Sequence, residues 1–254
     1  MNLPLNYNKL SLWSTGDDSP ALVNRHIEKI LRKNNIKTVL DFSCGTGSQV
    51  FWFLKYGYDV VGVDISLGML NIAKERAKKE KVRVKLLVGD MRSTKIGRFD
   101  SVVTVFNAIG HLTRKGFEKA MRNIYSNLNN GGIYIFDIFN LDCKKNKEMK
   151  MDATRNFDNI KIRKIQYCKL DKNTGILWCN DQFIVKEGNL KQKIFKAKFP
   201  LQIYTLNELE KMLNRNGFEI LGLCSIDGVK FSKKETERIM VTAKKNNLFL
   251  KKSY

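Results

Sequence analysis

An α/β fold is the architecture this 254-residue sequence predicts: a mostly parallel sheet with helices on both faces, followed by an antiparallel insertion. Three observations predict it. The run Thr38-Val39-Leu40-Asp41 is apolar and β-branched, turns through Gly45 and Gly47, and enters a helical pattern from Gln49 to Tyr56. A second apolar run, Val60 to Val63, ends in Asp64; strand, tight turn, helix and parallel strand make the repeating unit of open α/β sheets. Apolar runs and amphipathic stretches then alternate to residue 140, after which extended runs follow one another around short turns.

Composition sets the outer limits. With 43% hydrophobic and 10% aromatic residues, the chain fills one sizeable core plus an insertion rather than two full domains. The expected division is a core over 1–140, an inserted element over 141–200, and a return to the core over 201–254. No run approaches the ~20 apolar residues of a membrane span, and Met1-Asn2-Leu3-Pro4 lacks a charged-then-apolar leader. A cytoplasmic protein without a membrane partner is the expectation. Cysteines 44, 143, 168, 179 and 224 contain no C-x-x-C pair and read as reduced thiols; His26 and His111 stand far apart, so no metal site is expected. The formal charge of +21 raises the question of RNA. Residues 1–140 carry 21 basic and 12 acidic side chains, and residues 141–254 carry 25 and 13. An excess spread this evenly, with no basic tail, reads first as a solvated surface and second as an RNA-binding one.

Ser19-Pro20 opens a helix whose apolar stripe runs Leu22, Val23, His26, Ile27, Ile30, Leu31, with His26 as a packed residue. Thr38 to Phe42 is the first strand. Gly57 ends the next helix, Asp59 to Asp64 is the second strand, and Ser66 caps a helix carrying Met69, Leu70, Ile72, Ala73 and Ala77. Val82 to Val88 and Phe99 to Val105 are the third and fourth strands, residues 115–129 an amphipathic helix, and Ile133 to Asp137 the fifth strand. Lys161 to Leu170, Ile176 to Val185 and a run ending near Phe199 read as an antiparallel meander, a lid or a dimer surface, in which Trp178, Phe183, Phe195 and Tyr204 are either cavity lining or core. Thr205 caps a last helix ending at Asn216-Gly217-Phe218, and two closing strands follow, Glu219 to Ser225 and Arg238 to Lys244. The sum is a Rossmann-like seven-stranded sheet, six strands parallel and one antiparallel, with a meander inserted after the fifth.

The site is expected at the carboxyl edge of this sheet, where open α/β folds bind ligands. Glycine lets the backbone approach a ligand closely, and the N–H groups opening the following helix face it. The spacing Gly45, Gly47, Val50 departs from the pyrophosphate pattern G-x-G-x-x-G/A. Asp64, ending the second strand, stands where acids bind the two hydroxyls of a ribose.

Asp41-Phe42-Ser43-Cys44-Gly45-Thr46-Gly47 resembles the first motif of the class I S-adenosylmethionine-dependent methyltransferases, and Gly89-Asp90-Met91-Arg92 with Phe106-Asn107-Ala108-Ile109-Gly110-His111-Leu112 is similar to their small-molecule branch, the amino-sugar and glycine-type N-methyltransferases. The resemblance covers roughly residues 36–140, and 200–245 more loosely. It implies S-adenosylmethionine as cofactor, with S-adenosylhomocysteine as product. It also implies roles for residues: Asp41 under the methionine moiety, Ser43, Gly45 and Gly47 bordering the cofactor, Asp64 on the ribose, Ile65 and Met69 against adenine, Asp90 and the Met91 amide at the adenine edge, and Phe106 beside them. Phe-Asn-Ala-Ile at 106–109 lacks the Asn/Asp-Pro-Pro-Tyr/Phe of base and amide methyltransferases. The substrate is therefore expected to be a small metabolite accepting at N or O, with amines ahead, bound near Asn107, His111, Asn140, Trp178 and the N-terminal aromatics Tyr7 and Trp13. Those two aromatics read equally as a packing arm. His111 is the candidate base, or else a residue that holds the loop or binds substrate; Asp137 is the candidate for orienting an amine. Whether the protein is a monomer or homodimer stays open at this stage.

Overall fold

The computed structural model describes residues 19–143 and 147–246, so Tyr7 and Trp13 lie outside the described residues. Helix α1 (Ser19–Lys33) is followed by β1 (Thr38–Asp41), α2 (Ser48–Lys55), β2 (Asp59–Asp64), α3 (Leu67–Glu80), β3 (Lys85–Val88) and β4 (Phe99–Thr104). A 3-10 turn (Ala108–His111), α4 (Arg114–Ser126) and β5 (Leu128–Phe139) complete the first half. Strands β6 (Glu148–Phe157), β7 (Ile160–Asp171), β8 (Ile176–Glu187) and β9 (Lys193–Gln202) form the insertion; α5 (Leu206–Arg215), β10 (Phe218–Ser225) and β11 (Arg238–Lys245) close the chain.

The main sheet has the order β10-β11-β5-β4-β1-β2-β3. Only β11 runs against its neighbours, β5 and β10, so six strands are parallel and one antiparallel, as the sequence predicts. Helices cover both faces: α4 and α5 pack on one with Phe117, Met121, Ile124, Leu209 and Leu213, while α1, α2 and α3 pack on the other with Ile27, Leu31, Val50, Phe53 and Leu70. Buried rings of Phe117, Phe136 and Tyr204 meet edge to face at centroid distances of 5.6 and 5.7 Å, an arrangement worth about 1 kcal/mol per pair beyond the area buried. The order places a break between β1 and β4, whose chains depart in opposite directions; the carboxyl ends there carry the glycine loop and the Phe106–His111 loop.

The insertion is a four-stranded antiparallel sheet, β6-β7-β8-β9, one strand more than the sequence predicts. β6 alternates, with Met149, Met151, Ala153, Arg155 and Phe157 as its less exposed residues. Two of the cysteines expected to be reduced are not: Cys168 and Cys179 face each other across β7 and β8 and form a disulfide. Cysteine spacing in sequence cannot reveal such a pair, because the hairpin register alone brings the two together. No helix among the described residues is long and apolar enough to cross a membrane.

Candidate active site

The glycine loop joins β1 to α2 at the carboxyl edge. Gly45 and Gly47 both take positive φ, 53° and 87°, and a Cβ at Gly47 would lie 2.5 Å from the Phe51 ring. Asp64 holds this loop: its Oδ2 accepts from the Gly45 N–H at 2.8 Å and its Oδ1 from the Ser66 N–H at 2.8 Å. Asp41 is fully buried; Oδ1 accepts from the Ser43 N–H at 3.2 Å, while Oδ2 and the Ser43 hydroxyl have no partner among the described residues. Burial pushes the Asp41 carboxyl up to about 7, with the Asp64 charge adding to the effect against the Ser43 hydrogen bond.

Large apolar side chains usually avoid water, yet several stand exposed along this edge: Ile65 (68%), Val88 (56%) and Phe106 (37%). Asp64 pairs with Val88 in the parallel register, so Ile65 and Val88 belong to adjacent strand ends. Met69 is half-buried, its methyl 3.4 Å from where a Gly45 Cβ would sit. Asp90 follows β3 and is engaged by Arg92, whose Nε and Nη2 donate at 2.9 and 2.5 Å, which holds its carboxyl below the usual range. Met91 packs against the core, and its carbonyl accepts from Asn123 at 3.0 Å. An apolar shelf beside acids and orphaned buried oxygens suits a ligand with a flat ring at one end and cationic groups at the other. S-adenosylmethionine has that form.

A cavity of about 260 Å³ opens between the Phe106–His111 loop and the inner face of the inserted sheet. Phe106, Asn107, His111, Phe139 and Arg238 line it from the core, and Lys164, Gln166, Asp181 and Phe199 from the insertion. Phe106 and Asn107 both adopt left-handed backbone, φ 60° and 58°. Such strain in non-glycine residues persists only where surroundings enforce it. Here Asn107 donates its N–H to Asp137 Oδ2 at 3.0 Å and accepts on Oδ1 from the Phe139 N–H at 3.2 Å. His111 lies 5.7 Å from the Phe199 ring, and burial lowers its pKa. A larger hollow of about 680 Å³ lies elsewhere, among Pro20, Thr46, Trp52 and Arg76, and none of Asp41, Asp64 or Asp90 lines it.

Three expected substrate or catalytic residues lie outside the lining of the 260 Å³ cavity. Asp137 is fully buried and does not line the cavity; its Oδ2 accepts from Arg238, with Nε at 2.9 Å, and from the Asn107 N–H, while its Oδ1 has no partner among the described residues. Asn140 is also fully buried, and its amide donates to the Lys233 and Thr236 carbonyls at 2.8 and 2.9 Å while its Oδ1 accepts from the Asp142 N–H. Trp178 is 43% exposed on the outer face of the insertion, under the Lys198 ammonium at 5.8 Å, because β8 turns its even-numbered residues away from the cavity. Conversely, Arg238, Lys164, Gln166 and Asp181 face the cavity without having stood out in the sequence; only strand register reveals them.

Residues 39–132 match the family model described as a methyltransferase domain. An uncharacterized Methanocaldococcus jannaschii protein is 30% identical over 201 residues, 78% of this chain and 68% of its own. The glycine/sarcosine N-methyltransferase of Aphanothece halophytica is 32% identical over 139 residues, 52% of each chain. In fold, the chain is similar to an S-adenosylmethionine-dependent methyltransferase from Clostridium acetobutylicum, at a TM-score of 0.81 and 21% identity, covering 95% of this chain and 99% of that one. S-adenosylmethionine is accordingly the cofactor, and the protein is an enzyme belonging to the class I S-adenosylmethionine-dependent methyltransferases.

Proposed function

We propose that this methyltransferase acts on an amine nitrogen of a small molecule seated in the 260 Å³ cavity, with His111 receiving the proton the nitrogen sheds. The carrying observation is the cavity itself. It lies just below the usual range of small-molecule sites, about 300–1,000 Å³, and has the His111 imidazole in its wall. The cofactor supplies a methyl group already activated by positive charge on sulfur. The chain must then hold a neutral nitrogen in line with that methyl, exclude water and take up a proton. Asp41, Ser43, Gly45, Gly47, Asp64, Ile65, Met69, Asp90, Met91 and Phe106 form the cofactor side of this reading. Asn107 and His111 form the substrate side.

The test supplies methyl-labelled S-adenosylmethionine and source-cell extract divided into small molecules, RNA and protein. Label is expected in small molecules. Label in RNA would favour a second reading, which rests on the outer face of the insertion: exposed Trp178 and Tyr167 stand there among Lys150, Lys161, Arg163, Lys169, Lys186, Lys196 and Lys198, the composition of a stacking platform for single strands.

The raised Asp41 pKa gives a prediction of its own. The folded protein keeps this proton up to about 7, whereas the unfolded chain releases it near 3.8. Between those values the folded state binds more protons, so this group makes stability fall as pH rises across the window. A cationic methionine end beside Asp41 favours its ionised form, so cofactor binding near pH 7 should release a proton. Calorimetric enthalpies of S-adenosylhomocysteine binding should then differ between phosphate and Tris buffers, and Asp41→Asn should abolish the difference. Equal enthalpies for the unsubstituted protein would refute the coupling.

A further inference from the structure

One row of the inserted sheet runs unbroken along the cavity. Strand register sets it: Met149 of β6 stands opposite Cys168 of β7, Cys168 opposite Cys179 of β8, and Cys179 opposite Phe199 of β9. All four residues line the cavity. The row ends where the Phe199 ring meets His111, at a centroid distance of 5.7 Å. The Cys168–Cys179 disulfide is therefore the middle of a row that has the His111 loop at one end.

The bridge is not what aligns its strands. β7 and β8 pair at twelve positions, from Ile160 with Glu187 to Asp171 with Ile176, and the cysteines are one pair of the twelve. Nor does it tie the insertion to the main sheet, since both cysteines belong to one hairpin. Each is 1% exposed, and both face the cavity. A small dithiol entering the cavity can attack one sulfur as a thiolate. The S–S bond breaks, the departing sulfur takes up a proton, and the dithiol then closes on itself and releases the second cysteine. Two electrons and two protons pass from the reductant to the bridge; the reductant leaves as a cyclic disulfide, and Cys168 and Cys179 remain as thiols. A small disulfide oxidant runs the same exchange backwards.

Opening reshapes the wall. Unbonded sulfurs need the contact distance of non-bonded atoms, roughly 3.5–4 Å, so the two must move apart. Leu177, Leu201, Ile203 and Phe139 pack the surrounding apolar cluster and leave little room within it. Along the row, Cys168 moves towards Met149, a flexible side chain, and Cys179 towards the ring of Phe199. We propose that the Cys168–Cys179 bridge is a reversible redox site of this enzyme: its opening by a dithiol displaces Phe199 against His111, narrows the cavity and lowers methyl transfer. The effect on turnover rests on reading the cavity as the substrate site. The coupling between the sulfurs and the imidazole does not.

The experiment uses the full chain before and after dithiothreitol, with thiol titration of the denatured protein, nuclear magnetic resonance of the histidine rings, and labelled transfer to the small-molecule fraction of source-cell extract. Titratable thiols should rise from three to five. The chain has two histidines, and His26, packed against Cys224 and Gly228, serves as an internal reference. The His111 signals should shift on reduction while those of His26 stay, and oxidised glutathione should restore them. Transfer should fall by about tenfold or more, since a misplacement of ~1 Å at a reacting centre costs up to about 100-fold. Cys168→Ser/Cys179→Ser, checked for folding by S-adenosylhomocysteine affinity, should respond to dithiothreitol in neither readout. Phe199→Leu should still gain two thiols but lose the His111 shift. Five thiols in the untreated protein, three after reduction, or an opened bridge with His111 unmoved overturns the inference. So does a response in the double serine variant, or a His111 shift with transfer unchanged. A His111 shift with no transfer in either state upholds the coupling and overturns the cavity's assignment as the amine site.

Discussion

Asp64→Ala is expected to lower S-adenosylhomocysteine affinity by about 100-fold or more, measured by calorimetry on protein whose circular dichroism matches the unsubstituted chain. Two losses combine. In the family reading, Asp64 accepts from two ribose hydroxyls, and hydrogen bonds to a charged group are worth about 1.5–3 kcal/mol each. A single such bond corresponds to roughly 10- to 150-fold in affinity, so two make 100-fold a modest figure. The second loss is internal: the Gly45 and Ser66 N–H groups that Asp64 now holds at 2.8 Å would be released, loosening the loop that borders the cofactor. Asp64→Asn separates the two contributions, because its amide keeps one acceptor for the loop but presents a donor where the other oxygen stood. An intermediate loss is expected for it. Wild-type affinity in folded Asp64→Ala would remove this residue from the cofactor site.

The glycine loop and its acids were readable in the sequence because their reasons are local. Positive φ at Gly45 and Gly47 is a demand of the backbone, and Asp41 and Asp64 each end a short apolar strand. The cavity was not readable in the same way. Arg238 meets Asp137 across 101 residues of sequence, through the pairing of β11 with β5. Lys164 and Asp181 meet only in the hairpin register that also joins Cys168 to Cys179. Trp178 illustrates the sensitivity: it lies one residue from Cys179, which is in the cavity wall, and that step turns it to the outer face. Asn140 lies outside the cavity lining for a different reason. Its position at the carboxyl edge is as expected, but the loop at 233–236, distant in sequence, takes up its amide.

His111→Gln is expected to reduce kcat by about 10²- to 10⁴-fold, the span typical of a lost general base, with cofactor affinity unchanged. The environment of the ring supports this role. It sits at the end of the Ala108–His111 turn, against Phe199 of the inserted sheet, and desolvation lowers its pKa below the ordinary 6.5. A base with a lowered pKa is unprotonated at pH 7 and ready to receive a proton. For the unsubstituted enzyme, kcat/KM should rise with pH through that lowered value and level off above it; activity disappears as the ring becomes protonated at acid pH. In His111→Gln the acid limb attributable to this ring should vanish, leaving a lower and flatter profile. A glutamine amide preserves hydrogen bonding to a substrate without accepting its proton, which makes the variant diagnostic. A rise in KM with kcat within threefold, or an unchanged acid limb, would reassign His111 to substrate binding. The proton would then have to leave through solvent, and the drop in kcat would be expected instead from opening the cavity at Phe199.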